Sequence, residues 1–407
     1  MVKKILVLLY PLLIFASEDG GIPGYIFIYG VGARSLGMGK AFTAIAEGAE
    51  GIYYNPGGLG TLEDKDWLFF YSKIFDTDVK YSAIGYGMPV WRYGSLGAMV
   101  LWLTTPGFEA RDRLGEPLGN YEFTQFATLL SYGHRFSDKV FAGITAKSIY
   151  SRLFIYNPVG FGADLGFIYK PTSKLTLGGT VHNIIPPRLK YVFDLEVFQP
   201  VIRTGVSYRP FEEILLSLDL VKSATGDFKP SIGTEFNVAD RLSFRGGLDV
   251  NEASGGFGIK VGKGAYSLSI DYTFSTHHAS ELTMDNTHKF GIRWTYRGAK
   301  VWAHAEPDVF NLAPDTLGNF IWIYIHAFPG GDIAHWKLIL KKSDTDVIVR
   351  TFEGWEAPPL RVAFDGLDDF GNLIPEGEYK YELEIESISG KKRSSRGKLF
   401  RAIYPED

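Results

Sequence analysis

In Lys289-Phe290-Gly291-Ile292-Arg293-Trp294-Thr295-Tyr296, apolar or aromatic residues alternate with polar or glycine ones, so an extended backbone points the two kinds to opposite faces. The pattern recurs. Tyr266, Leu268, Ile270, Tyr272 and Phe274 alternate with Ser267, Ser269, Asp271 and Thr273, and Leu242, Phe244, Leu248 and Val250 alternate with Arg241, Ser243, Gly247 and Asp249. It runs from Trp67 to Tyr296 in segments of about ten residues. A water-soluble sheet accounts for a few such strands. Repetition over this length predicts an all-β chain whose strands close into a transmembrane antiparallel barrel, with hydrocarbon outside and polar groups inside.

The chain opens Met1-Val2-Lys3-Lys4, runs apolar over residues 5–16 and turns polar at Ser17-Glu18-Asp19, the charge, core and flank of a signal peptide covering residues 1–17. That core is too short for a spanning helix, which needs about 20 apolar residues. No later stretch approaches that length, so membrane residence would be as strands. The absence of cysteine excludes disulfides, thiolate metal sites, a cysteine nucleophile and N-terminal cysteine lipidation. A net charge of −4 argues against a nucleic-acid partner. No cofactor is implied. Aromatic residues at 15% and 47 glycines suit interfacial girdles and close strand packing.

Turn signals divide the region further. Short connections lie near 91–94, 136–138, 171–173, 210–212, 238–240 and 262–264, and longer ones near 105–119, 152–159, 184–199, 222–227 and 275–285, with 75–79 and 251–254 short exceptions. They delimit about 14 strands, an even number as single-chain bacterial barrels require, and place the barrel at residues 66–297 with both ends towards the periplasm. Inward positions hold Lys147, Arg203, Arg245, Lys260, Lys289 and Arg293 against Asp164, Asp219, Glu235, Asp249 and Asp271. So balanced a set suits a lumen filled by side chains and a plug better than an ion-selective pore; an open, water-filled channel is the alternative.

Residues 18–65 would form that plug. Gly32, Arg34, Gly37, Met38 and Gly39 lie in a run of small residues, Ala41 to Ala46 can form a short helix, and Asn55-Pro56-Gly57 forces a tight turn. Here the chain resembles the PorV/PorQ family of outer-membrane proteins, itself similar to the FadL class, through this glycine-rich run and Ile52-Tyr53-Tyr54-Asn55-Pro56-Gly57-Gly58-Leu59. Family members commonly carry Ala where this chain has Gly57. The resemblance implies a FadL-like barrel of about 14 strands with an N-terminal hatch. In the PorV branch it implies type IX protein secretion, with secretion-system or cargo proteins as partners; in the FadL branch it implies passage of hydrophobic small molecules. In the last strand, Lys289, Gly291, Trp294 and Tyr296 resemble the terminal-strand signal read by the barrel assembly machinery.

From residue 298 to 407 the pattern turns soluble, with strands at Phe320 to Ile325, Trp336 to Leu340, Val347 to Val349 and Tyr379 to Ile385. The stretch from Phe364 to Tyr379, Phe-Asp-Gly-Leu-Asp-Asp-Phe-Gly-Asn-Leu-Ile-Pro-Glu-Gly-Glu-Tyr, resembles FlgD-type immunoglobulin-like domains, with Phe364 where many carry Trp. The resemblance implies a β-sandwich, which would hang in the periplasm. A calcium loop at Asp365, Asp368 and Asp369 lacks the alternating ligand spacing. His278 and Ser280 have the spacing of lipid-hydrolysing barrels but sit in a polar loop stretch, and His277, His278, Glu281, Asp285 and His288 read as a solvated loop rather than a metal site. His182 reads as a lumen hydrogen-bonding group. The expectation is a non-enzymatic outer-membrane barrel, in contact with outer-membrane lipid, acting in secretion or surface presentation; the alternatives are a FadL-like transporter and a purely structural envelope protein. An apolar tunnel would favour transport, and an open outer groove lined by residues 184–199 would favour cargo binding.

Overall fold

The computed structural model describes residues 24–74, 77–90, 94–111, 114–153, 156–191, 194–224, 226–239, 241–263, 266–277, 286–296, 301–311, 320–327, 333–387 and 392–404. The signal-peptide reading at 1–17 and the His278, Ser280, Glu281 and Asp285 readings fall outside them. The chain divides into two compact units, Met1–Tyr296 and Arg297–Asp407.

In the first unit fourteen antiparallel strands close on themselves. They are β1 (Lys65–Lys73), β2 (Lys80–Val90), β3 (Gly94–Arg111), β4 (Pro117–Arg135), β5 (Val140–Leu153), β6 (Val159–Tyr169) and β7 (Leu175–Ile185), then β10 (Val201–Phe211), β11 (Ile214–Ser223), β12 (Phe228–Val238), β13 (Leu242–Leu248), β14 (Glu252–Lys263), β15 (Tyr266–His277) and β16 (Thr287–Tyr296). Between β7 and β10 a two-stranded ribbon, β8 (Arg188–Lys190) with β9 (Leu195–Val197), stands apart from the wall. Each barrel strand pairs with its neighbours in sequence, and β1 pairs with β16 from Lys65↔Tyr296 to Lys73↔His288 to complete the ring. The end carrying Lys65 and Tyr296 is called the near end below and the opposite one the far end.

Side-chain alternation decides the two faces. Phe69, Ile84, Leu130, Ile144, Phe161, Leu218, Phe244, Ile270 and Phe290 point outward and are exposed. At the near end the outer face carries an aromatic belt, with Trp67 against Tyr86 (4.1 Å between centroids) and Tyr266 against both Trp294 and Tyr296. Such a surface is unfavourable in water and suits hydrocarbon with aromatic rings at its boundary. Among the described residues no helix is long and apolar enough to cross a membrane.

The inner face differs from the wholly polar lining that alternation alone suggests, because apolar residues intersperse with polar ones along β1 to β5. Leu68, Phe70, Tyr81, Met99, Leu101, Leu103, Ala127, Leu129 and Ile149 form one buried core with Ile26, Leu36, Met38, Phe42, Ile52, Tyr54 and Leu59 of the N-terminal segment. Those strands are buried on one side by the plug and face outward with hydrocarbon on the other. They therefore read apolar on both faces, as in Trp67-Leu68-Phe69-Phe70-Tyr71.

The plug is built from short pieces: a 3-10 turn at Tyr25–Phe27, a helix at Ala33–Gly37, a 3-10 turn at Gly48–Glu50, a helix at Gly51–Tyr54 and a 3-10 helix at Pro56–Thr61. The expected helix over Ala41 to Ala46 does not form. Lys40 and Ala46 adopt positive φ (63° and 34°), and the amides of Phe42 and Thr43 donate to Asp219 on the wall at 3.1 and 2.9 Å instead of propagating a helix.

In the second unit, β17 (Val301–Glu306), β19 (Ile321–Ala327) and β22 (Arg361–Phe364) form one sheet. The other contains β18 (Val309–Asn311), β24 (Lys392–Ile403), β23 (Gly377–Ser387), β20 (Ile333–Lys342) and β21 (Ile348–Trp355). The two sheets share a core in which Phe364, 1% exposed, meets Phe310, Phe352 and Phe400. In the following turn Asp365 accepts from the Leu367 amide, and Asp368 accepts from Phe370 (2.9 Å) and Asn372 (2.8 Å). These carboxylates organise the turn's backbone.

Candidate functional site

Charged ties fix the plug in the lumen. Towards the near end Arg34 reaches both oxygens of Glu235 with Nε and Nη2 (2.8 and 3.0 Å), while its Nη1 meets Glu47 at 2.9 Å. Glu235 also accepts from Arg245 Nε (2.7 Å), and Arg245 Nη1 goes on to Asp271 (2.6 Å). Arg293 donates to Asp66 at 2.8 Å, and the other oxygen of Asp66 accepts the Ala49 amide at 2.7 Å. At the far end Lys40 lies between Asp249 (2.9 Å) and Glu252 (2.8 Å), and Glu252 also takes Lys289 (2.6 Å). Each cation thus finds a nearby carboxylate, the condition under which charges tolerate burial.

Close backbone contact does the rest. Gly247 on β13 packs so tightly that a Cβ there would stand 2.0 Å from the Gly39 nitrogen, and one on Gly233 would stand 2.4 Å from the Met38 carbonyl oxygen. Gly32, at φ 92°, would drive a Cβ to 1.9 Å from Glu50 Oε1. Asn55 accepts the Gly57 amide (3.0 Å) while its side-chain amide donates to Thr43 O (2.9 Å) and to Phe167 O on β6 (3.0 Å). The Asn-Pro-Gly turn therefore ties the plug both to itself and to the wall. Gly57 itself has no positive φ, and a Cβ there would lie 3.0 Å from the Phe167 backbone, a tight fit.

The expected inward charges fall as follows. Arg203, Asp219, Glu235, Arg245, Asp249, Asp271, Lys289 and Arg293 all join the contacts between plug and wall or extend them, as does Arg34 from the plug motif. Lys147 and Asp164 pair at 2.6 Å near the far end, with Lys147 Nζ 4.6 Å above the Phe27 ring. Lys260 is exposed and borders a polar pocket of about 370 Å³ at the near end, with Arg209, Glu212 and Ser269. His182 faces inward beside Asp164 at 3.4 Å. Gly291 packs against Ala33, whereas Trp294 and Tyr296 lie in the outer aromatic belt. His277 and His288 lie on opposite faces of the wall, so they cannot share an ion. Among the described residues no group of three or more His, Cys, Asp or Glu is placed to hold a metal.

Lys40, Glu47, Asp66 and Glu252 were not anticipated. Lys40 is the one cation between Gly37 and Ala46, a signal present in the sequence. Glu252 was hidden in the expected 251–254 turn; it is the first residue of β14.

At the far end, β7 carries two extra residues between its pairings Leu165↔Val181 and Ala163↔Ile185. Asn183, at φ 56°, sits in this bulge, its amide donating to Asp164 at 2.6 Å and its side chain to Gln199 O at 2.8 Å. Beside it a cavity of about 130 Å³ opens between plug and wall, lined by Phe27, Ile28, Lys40, His182, Asn183, Arg203, Val201, Val221, Val250 and their neighbours. The long connection at 184–199, which would favour cargo binding if it lined an open outer groove, folds partly inward instead. Leu189 and Phe198 are 0% and 1% exposed and belong to the plug core, Phe198 packs edge-on to Phe27, and Tyr191 donates to Ser151 on β5 at 3.1 Å.

No family model matches the chain, and no curated protein matches it. Solved structures similar to it include a CymD monoaromatic hydrocarbon channel, at 13% identity and a TM-score of 0.49, covering 66% of this chain and 97% of that one. The Pseudomonas putida toluene transporter TodX stands at 13% and 0.47, covering 66% and 98%. A Pseudomonas aeruginosa FadL homologue stands at 10% and 0.45, covering 64% and 97%. Likeness this distant carries no argument about activity.

Proposed function

We propose that the chain is an outer-membrane channel that admits small, largely apolar molecules at the far end and releases them past a movable plug. The far end would be the outer surface and the near end the periplasmic one. The observation that carries this reading is the far-end cavity, where Phe27, Ile28, Val201, Val221 and Val250 supply apolar walls between plug and barrel. The exposed hydrocarbon of the outer face and the near-end aromatic belt support membrane residence. The inward fold of the β8–β9 ribbon weighs against a broad docking groove for secreted cargo, because Leu189 and the neighbouring Phe198 pack inside. The second unit, whose two sheets suit an immunoglobulin-like reading, would lie in the periplasm, since the chain leaves the barrel at Tyr296 on the near end.

The test uses the absence of cysteine. A Cβ on Gly291 would stand 3.1 Å from the Ala33 Cβ, close to the separation of roughly 3.5–4.5 Å that a disulfide spans. The double variant Ala33→Cys, Gly291→Cys should lock the plug to β16. In liposomes, toluene uptake should proceed with wild-type protein, stop in the oxidised double variant and return on reduction. Wild-type liposomes no more permeable than protein-free ones would end the transport reading. Equal uptake by the oxidised and reduced variants would end the movable plug.

A further inference from the structure

The second unit carries two imidazoles in direct contact. On β17 and β19 the alternate residues Ala303, Ala305, Ile323 and Ile325 are buried in the core, which turns His304, Glu306, Tyr324 and His326 to the opposite face of the sheet. The register sets Trp302 opposite His326 and His304 opposite Tyr324, so the two histidines are diagonal neighbours on adjacent strands. Their ring nitrogens meet, with His326 Nε2 lying 3.1 Å from His304 Nδ1. A neutral imidazole has one donor and one acceptor nitrogen, so a single proton bridges the pair.

That separation is also the one between two ligands on a single ion. With metal–nitrogen bonds of roughly 2.0–2.1 Å, nitrogens 3.1 Å apart subtend an angle of about 98° at the metal, between the right angle of tetragonal coordination and the tetrahedral one. The ion would stand off the line joining the nitrogens, on the solvent side, where the His304 side chain is 44% exposed and water can fill the remaining positions. Behind His304, its second nitrogen, Nε2, lies 3.7 Å from Glu306 Oε1, within ion-pairing reach and two residues along the same face. A carboxylate at the far nitrogen of a ligating histidine fixes its tautomer and ring orientation and raises its basicity. Flanking rings restrict rotation further. Trp302 lies within 14° of the His326 plane at 4.6 Å, and Tyr324 within 12° of the His304 plane at 5.0 Å.

We propose that His304 and His326 together bind one late first-row transition ion, Cu²⁺ ahead of Ni²⁺ and Zn²⁺, the bridging proton passing to solvent and Glu306 orienting His304 from behind. Two adjacent imidazole nitrogens with open water positions suit tetragonal Cu²⁺ best, and the general affinity order of divalent ions points the same way. The site lies wholly within the second unit and does not depend on the transport reading. Its test is calorimetric titration of CuCl₂, NiCl₂ and ZnCl₂ into the full chain in detergent micelles. His304→Asn and His326→Gln each keep a hydrogen-bonding group near the nitrogen concerned and remove the imidazole, so each should weaken the Cu²⁺ site at least tenfold, and Glu306→Gln should weaken it about tenfold. Copper held by other histidines of the chain survives these substitutions, so the difference from wild type is what counts. With one equivalent of Cu²⁺, the paramagnetic resonance spectrum of the wild-type chain should show coupling to two imidazole nitrogens. If one variant fails to fold, the other variant and the wild-type spectrum decide. A wild-type chain that takes up no Cu²⁺, variants that bind it as wild type does, or a spectrum with fewer than two coupled imidazoles would overturn the site. Tighter binding of Zn²⁺ than of Cu²⁺ would overturn the choice of ion.

Discussion

Asp219 is a wall carboxylate with no exposure that receives two plug amides, and it was visible in the sequence only as one inward charge among several. Asp219→Ala would strand the Phe42 and Thr43 amides and the Arg203 guanidinium, at a cost of about 3 kcal/mol. The urea midpoint of the folded, heat-modifiable band on gels measures it, and an unchanged midpoint would show that the plug does not depend on this anchor. The wall glycines give a sharper contrast. Gly247→Ala would push a methyl into Gly39 and cost roughly 2 kcal/mol, whereas Gly255→Ala, with nothing within 4 Å of its Cβ, should be silent in the same assay. Glycine in a strand reads only as a weak point, so its use as a seat for plug backbone was illegible; the seat exists only once the barrel has curled around residues distant in sequence. The same holds for Lys40 and Glu252, whose partnership is set by closure rather than by spacing. In the second unit the Asn372 amide, with help from Phe370, holds the Asp368 carboxyl below the usual carboxylate range. The folded value is depressed, so the turn's stabilisation is present at neutral pH and is lost only as pH falls through that lowered value. Hydrogen exchange over residues 365–374, corrected for intrinsic rate, should stay slow from pH 7 to pH 5 and quicken only in stronger acid, below the ordinary carboxylate range.

The strands were the most legible elements. Period-two alternation is a local property, and the positions of Lys289 to Tyr296 are those in which β16 closes the ring. Two elements were not legible, for different reasons. Ala41 to Ala46 has helical composition, but a wall carboxylate competes for its amides, and tertiary bonding overrides local propensity. Residues 184–199 are rich in apolar residues, Leu189 and Phe198 among them, but no periodicity marks which way such a connection turns. Deleting residues 188–197 should leave the fourteen wall strands paired, since the ribbon bonds only to itself among the named sheets. Planar-bilayer recordings should then show a higher conductance than wild type. Unaltered conductance would place the main barrier in the plug alone.

At the scale of the molecule, barrel closure requires nothing from the second unit. A chain ending at Tyr296 should still yield a heat-modifiable barrel of the same stability, and failure to do so would assign the second unit a part in folding. Barrel class and strand number could be read from the sequence because hydrocarbon outside imposes a regular code on every strand. The state of the lumen could not, because its contents are matched pairwise across the ring.

The arrangement of plug and seam also dictates an order of events during biogenesis. Helix Ala33–Gly37 packs on β13 to β16, and the 3-10 helix Pro56–Thr61 on β3 to β6, so the plug bridges strands from both ends of the chain. It cannot be threaded into a finished cylinder through contacts that leave no room for a methyl group. The nascent sheet must therefore wrap around its own N-terminal passenger, and the final zippering of Lys65 to Lys73 against His288 to Tyr296 seals the passenger in.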